Sequence, residues 1–153
     1  MDKIKLLVMD VDGTLTDGRI YIGPDGEVMK AFDVKDGYGI VRFRQAGGIP
    51  AVVTGRQSKI VEERCRELGI TELQQGVGDK LACLMSLAGK YHLEREEIAY
   101  IGDDLNDLAC IQYAGASACP ADAAEAVRSA CSYVCTAPGG RGAVREFLDR
   151  LVF

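Results

Sequence analysis

The stretch Ile4-Lys5-Leu6-Leu7-Val8-Met9-Asp10-Val11-Asp12-Gly13-Thr14-Leu15 decides the fold. An apolar run that stops abruptly at Asp10, Asp12 and Gly13 has the pattern of a buried strand opening into a polar loop. The same event recurs twice. Ile49-Pro50-Ala51-Val52-Val53 ends at Thr54-Gly55, and Ile98-Ala99-Tyr100-Ile101 ends at Gly102-Asp103-Asp104. Helical periodicity fills the intervals, over Tyr38 to Ala46, Ser58 to Leu68, Lys80 to Tyr91 and Asp104 to Tyr113. Weaker strands at Leu73-Gln74-Gln75 and Ala116-Ser117-Ala118, with helix-like segments over Ala121 to Val127 and Gly142 to Leu151, continue the series. Such alternation predicts an α/β fold, a Rossmann-like parallel sheet sandwiched by helices. Between Arg19 and Asp33 the pattern changes to apolar–polar alternation around Gly23-Pro24-Asp25-Gly26, which predicts a β-hairpin inserted after the first strand. The insertion is too small for a cap domain, and residues 1–153 are expected to form one domain.

Composition narrows the functional classes. The chain of 153 residues is 48% hydrophobic and 27% charged, with a formal net charge of −5 and a pI near 4.9. A scattered excess of acid argues against nucleic-acid or anionic-membrane partners, which need a basic face. No apolar run reaches the ~18 residues that span a bilayer, and the segment from Met1 to Met9 lacks the order of a signal peptide, so a cytoplasmic location is expected. Six cysteines, Cys65, Cys83, Cys110, Cys119, Cys131 and Cys135, show no zinc-ligand spacing and read as reduced packing residues. The single histidine, His92, rules out a histidine triad and reads as a surface residue.

Ligands of open parallel sheets sit outside the carboxyl ends of the strands, where Asp10, Asp12, Thr54, Asp103 and Asp104 all fall. Carboxylates gathered there repel one another and require a cation. An all-oxygen set without histidine suits Mg²⁺, and Mg²⁺ suits a phosphate substrate. A carboxylate can attack phosphorus while a second one, two residues on, serves first as acid and then as base. Each residue alone also has an ordinary reading. Asp12-Gly13 is a common turn, Asp103 or Asp104 a common helix cap, and Lys80 a solvated helix start.

Taken together, the motifs resemble those of the haloacid dehalogenase phosphatases. Asp10-Val11-Asp12-Gly13-Thr14-Leu15 resembles the first motif of that family, Thr54 the second, Lys80 in Gly78-Asp79-Lys80 the third, and Gly102-Asp103-Asp104-Leu105-Asn106-Asp107 the fourth. The resemblance implies Asp10 as nucleophile, Asp12 as acid and base, and Thr54 and Lys80 as phosphate holders. It also implies Mg²⁺ on the carboxylates of Asp10 and Asp103 and the main-chain carbonyl of Asp12. Asp104 stands behind these ligands, and Asp107 is either a supporting partner or an exposed helix residue.

Further segments resemble the capless branch that dephosphorylates 3-deoxy-D-manno-octulosonate 8-phosphate, among them Lys30 to Ile40, Thr54-Gly55-Arg56, Val61 to Cys65, Gln75 to Lys80 and Gly139 to Glu146. That resemblance implies a phosphorylated acid sugar as substrate, contacted by Asp12, Asp33, Val34, Lys35, Asp36, Gly37, Gly55, Arg56, Arg64 and Lys80. The chemistry agrees, because arginine binds carboxylate through a two-pronged fork. It further implies a homotetramer whose hairpins and tails help close neighbouring sites. Pro138-Gly139-Gly140-Arg141-Gly142 is a flexible candidate for such closure, whereas a chain ending at Phe153 puts a longer gating tail in doubt. Thr14 stands where many branch members carry valine, a change expected to be neutral. The rival within the family acts on a nine-carbon sialic-acid-type sugar phosphate. A phospho-receiver domain would need an Asp ending the third strand, where this chain reads Leu73-Gln74-Gln75-Gly76, and a non-catalytic interaction module would not need the full motif set.

Overall fold

The apolar runs form the centre of a six-stranded parallel sheet in the computed structural model, which describes residues 4–152. Met1 and Phe153, on which the leader and tail expectations touch, lie outside the described residues. The strands are β1 (Leu6–Met9), β2 (Tyr21–Gly23), β3 (Gly26–Met29), β4 (Ile49–Val53), β5 (Glu72–Gln74), β6 (Ile98–Ile101), β7 (Ala116–Cys119) and β8 (Tyr133–Val134). The helices are α1 (Val34–Gln45), α2 (Lys59–Leu68), α3 (Lys80–Lys90), α4 (Leu108–Tyr113), α5 (Glu125–Ala130) and α6 (Ala143–Val152). The order across the sheet is β5-β4-β1-β6-β7-β8, and β2 and β3 pair separately as the antiparallel hairpin.

The central strands are apolar at every position because both faces of the sheet are covered. Leu7 and Met9 point to a core completed by Ile40 and Phe43 of α1, Val61 and Cys65 of α2, and Val144, Phe147 and Leu148 of α6. Leu6 and Val8 point the opposite way, to Leu84 and Leu87 of α3, Cys110 and Ile111 of α4 and Val127 of α5. The chain winds outward from β1 through β4 to β5, then returns to β6 on the other side. A crevice therefore opens beyond the carboxyl end of β1, between β4 and β6. All six cysteines are free thiols. His92 is exposed just after α3, as expected.

Several elements differ from the sequence expectation, each for a local reason. Helix α1 starts a turn earlier, because the Asp33 carboxylate caps it by accepting from the N–H groups of Lys35 (2.7 Å) and Asp36 (3.2 Å). The glycines that make this stretch read as a loop serve close packing instead. A Cβ on Gly39 would lie 2.9 Å from Arg145 Cδ on α6. The expected helix over Asp104 to Tyr113 opens as a 3₁₀ turn, Leu105–Asp107, before α4. The expected Ala121 to Val127 helix starts only at Glu125, because the preceding loop is held elsewhere, with the Ala124 N–H donating to the Asp103 carbonyl at 2.9 Å. The two-residue edge strand β8 carries no periodicity that a sequence reading detects.

The packing of α1 on α6 buries a charge. Asp36 is 1% exposed; its Oδ1 accepts the Arg145 N–H at 2.9 Å, whereas Oδ2 is buried without a hydrogen-bond partner. Burial pushes its carboxyl up from 3.8 to about 6, against the Arg145 N–H and with the Asp33 charge. The folded chain thus holds this proton more tightly than the unfolded one. The stability Asp36 contributes is full below pH 4 and falls as pH rises through about 6. Asp36→Asn keeps an acceptor for Arg145 but has no charge to bury. Relative to the parent chain, its unfolding free energy in urea is expected to rise by roughly 1–3 kcal/mol between pH 4.5 and pH 7.5; a constant difference across that range would contradict this account.

Candidate active site

Asp10 is the first residue beyond β1, where its N–H donates to the Ile101 carbonyl of β6 at 3.1 Å. Register sets its neighbours. Met9 lies opposite Val52 of β4 and Ile101 of β6, so Asp10 stands between Thr54 and the Gly102-Asp103 turn. Lys80, the first residue of α3, is 4% exposed and reaches across to donate to Asp10 Oδ1 at 2.8 Å and Asp107 Oδ1 at 2.9 Å. Asp79 starts that helix by accepting the Ala82 N–H at 3.0 Å.

Asp107 is fully buried and both its oxygens are engaged. Oδ1 accepts from Lys80 and from the Tyr100 hydroxyl, and Oδ2 accepts the N–H groups of Asp103 (2.9 Å) and Asp104 (3.1 Å). It is therefore a supporting partner rather than an exposed helix residue. Asp10, Asp103 and Asp107 offer carboxylate oxygens all within 4.8 Å of one another. With Asp107 saturated, Asp10 and Asp103 are the pair left to hold a cation. Asp104 is exposed, lines the crevice and caps the 3₁₀ turn by accepting the Leu105 N–H at 2.8 Å.

Crowding sets the electrostatics. Burial, together with the Asp107 charge, raises the carboxyl of Asp10 against the lowering effects of Asp103 and Lys80. Burial and the carboxylates of Asp10, Asp107 and Asp104 push Asp103 up to about 9. Lys80 is raised, its two carboxylate partners outweighing burial. A hard divalent cation relieves this kind of crowding, and the donors, all oxygen, fit Mg²⁺. Glycines make the approach possible. A Cβ on Gly13, which has φ +92°, would lie 1.9 Å from Asp103 Oδ2, and one on Gly102 would lie 2.3 Å from Asp107 Cγ.

The open side of the site is a cleft of about 190 Å³ lined by Asp10, Asp12, Thr54, Gly55, Arg56, Asp103, Asp104 and Asn106. Most of the expected residues thus meet in one place, with Lys80 behind Asp10. Those expected from the Asp33 segment do not line this cleft. Asp33 caps α1, Asp36 is turned into the α1–α6 packing, Val34 and Lys35 are exposed, and Gly37 lies under the guanidinium of Arg64. Arg64 donates to the Asp33 carbonyl at 3.3 Å, pairs with Glu67 at 3.4 Å and, with Val34, Gly37 and Tyr38, borders a separate groove of about 240 Å³. Arg56, with its side chain 44% exposed, stands at the mouth of the cleft.

Three features escaped the sequence reading. Thr14 is fully buried, its hydroxyl 3.5 Å from Asp10 Oδ2 and 3.4 Å from Asp103 Oδ1. The expected flexible element, Pro138 to Gly142, packs onto this chain's own first loop. The Gly140 N–H donates to the Thr14 carbonyl at 3.1 Å, and a Cβ on Gly139 would lie 2.0 Å from the Gly13 carbonyl oxygen. Lys30, from the hairpin, donates to Asp12 Oδ1 at 2.5 Å. Its signals in the sequence are the charged pair Glu27 and Lys30 within an otherwise apolar run and its place at the head of the Lys30 to Ile40 segment.

Comparison with known proteins agrees with this geometry. Residues 68–148 match the family model of the haloacid dehalogenase-like hydrolases. The 3-deoxy-D-manno-octulosonate 8-phosphate phosphatase KdsC of Escherichia coli K12 is 46% identical over 151 residues, covering 99% of this chain and 80% of the relative. The crystal structure of the phosphatase of the same name from Yersinia pestis superposes with a TM-score of 0.94 at 45% identity, over 96% of this chain and 80% of the other. That from Moraxella catarrhalis, in complex with magnesium, phosphate and KDO, gives 0.95 at 43% identity, over 98% and 86%. By the family match, the identity to these phosphatases and the shared fold, this chain belongs to the haloacid dehalogenase-like hydrolases, as one of their phosphatases.

Proposed function

We propose that this chain is a phosphomonoesterase that hydrolyses 3-deoxy-D-manno-octulosonate 8-phosphate to the free sugar acid and phosphate, as the relatives' names suggest, and that it serves lipopolysaccharide precursor biosynthesis. One observation carries the chemistry: a buried carboxylate, Asp10, is held from behind by Lys80 and opens in front onto a polar cleft bordered by Asp12, Thr54 and Arg56. In the first step the Asp10 carboxylate attacks phosphorus, the ester P–O bond breaks, and Asp12 gives its proton to the departing sugar oxygen. In the second, Asp12 takes a proton from water, whose oxygen attacks phosphorus and releases Asp10 with inorganic phosphate. Thr54 holds phosphate oxygens in the cleft, Lys80 lends them positive charge from behind Asp10, and Arg56 meets the sugar carboxylate at the mouth. The carboxylates of Asp10 and Asp103 and the Asp12 main-chain carbonyl are the donors for Mg²⁺, which supplies charge neutralisation on the transferring group. Residues 1–153 act as one catalytic domain.

We also propose a cytoplasmic homotetramer. Six free thiols suit a reducing compartment, and the hairpin exposes Ile22 (71%), Val28 (61%) and Met29 (53%), apolar area that a neighbouring copy would cover.

Phosphate release with Mg²⁺ from a panel of phosphorylated sugars tests the reading. Selective turnover of the eight-carbon acid sugar phosphate, lost in Asp10→Asn at equal folded concentration, is expected; turnover that survives the substitution would remove the mechanism. Asp107→Ala leaves Lys80 with one partner and frees the Asp103–Asp104 turn, so it is expected to lower unfolding free energy by about 3 kcal/mol and kcat at least tenfold. Ile22→Asp is expected to convert the tetramer to smaller species by light scattering, and an unchanged mass would move the interface away from the hairpin.

A further inference from the structure

The hairpin delivers a buried cation to the site. Lys30 follows β3 and its side chain is 1% exposed. Its ammonium donates to Asp12 Oδ1 at 2.5 Å and pairs with Glu27 Oε2 at 3.1 Å. Glu27 in turn accepts the Ser58 hydroxyl proton at 2.5 Å through Oε1, and its Oε2 lies 4.0 Å from Arg56 Nη2. Ser58 caps α2 by accepting the Val61 N–H at 3.3 Å, and its own N–H donates to Gln75 at 2.8 Å. An unbroken polar chain therefore runs from the loop after β1, through the hairpin, to the loop after β4.

Covered in this way and paired on two sides, Lys30 cannot reach a substrate in the cleft without leaving its partners. Whatever it contributes to the reaction it contributes through Asp12. An aspartate at a loop tip has several staggered side-chain wells open to it, and proton transfer needs its carboxylate within hydrogen-bond reach of one substrate oxygen. A buried ion pair at one carboxylate oxygen selects a single well.

We propose that Lys30 is the positioning residue for Asp12, holding Oδ1 so that Oδ2 serves the proton transfers, and that Glu27 and Ser58 hold Lys30 in turn. The aim of the acid–base carboxylate then depends on the seating of the hairpin. This inference rests on the role of Asp12 in the reading above.

The test uses Lys30→Met, Lys30→Arg, Glu27→Gln, Asp12→Asn and the Asp12→Asn/Lys30→Met double variant, each at equal folded concentration. It measures steady-state kinetics and pre-steady-state release of the leaving group. Two substrates are compared, the sugar phosphate with its poor alkoxide leaving group and p-nitrophenyl phosphate, whose leaving group needs no acid. Lys30→Met is expected to lower kcat on the sugar phosphate by about 10- to 100-fold at little changed KM, with a much smaller fall in the release step for p-nitrophenyl phosphate. Lys30→Arg is expected to recover part of the loss, and the double variant to be no slower than Asp12→Asn. Should Lys30→Met fold poorly, Glu27→Gln is expected to show the same leaving-group pattern more weakly. An equal fall on both substrates, a raised KM with kcat intact, or additive losses in the double variant would overturn the proposal. Turnover that survives Asp12→Asn would instead remove the mechanism on which it rests.

Discussion

Everything at this site hangs on one buried cation. The Lys80 ammonium sits between the carboxylates of Asp10 and Asp107, and without it two largely buried negative groups would face each other unpaired. Charges taken out of water are tolerated only when paired and hydrogen-bonded, and here each member is. Asp107 shares its load with the Tyr100 hydroxyl from β6 and two main-chain N–H groups, which fixes the turn carrying Asp103. One ion cluster thereby joins β1, β6, α3 and the turn before α4.

The cluster also needs its backbones closer together than side chains normally permit. Gly13 and Gly102 clear the space in which Asp103 and Asp107 approach the first loop. On the far side of that loop, Gly139 and Gly140 let the segment before α6 lie against it, main chain on main chain. The loop after β1 is consequently clamped from both sides, and Asp10 sits on a rigid part of the molecule. Rigidity here is what electrostatic preorganisation asks of a phosphoryl-transfer site.

Against this rigid floor, the hairpin is the one inserted element that both touches the site and presents apolar residues outward. Its inner side carries Glu27 and Lys30 to the loops after β4 and β1, and its outer side exposes Ile22, Val28 and Met29. The same small element thus links an exposed apolar surface to the carboxylate of Asp12.

From the sequence alone came the α/β class, the central strands, the hairpin, and the gathering of Asp10, Asp12, Thr54 and Asp103 at the carboxyl ends of neighbouring strands. These are legible because each strand buried on two faces must be apolar throughout and must stop where polar chemistry starts, so chain position reports place in the fold. What the tertiary structure decided were the pairings between distant segments. Thr14 between two carboxylates, Asp107 turned inward, Lys30 on Asp12, Gly139 on Gly13 and Asp36 under α6 rather than in the cleft depend on which elements end up adjacent. No local pattern encodes these contacts. A buried ion pair or a glycine cleared for close approach is a relation between two surfaces, and it exists only once the sheet has placed them side by side.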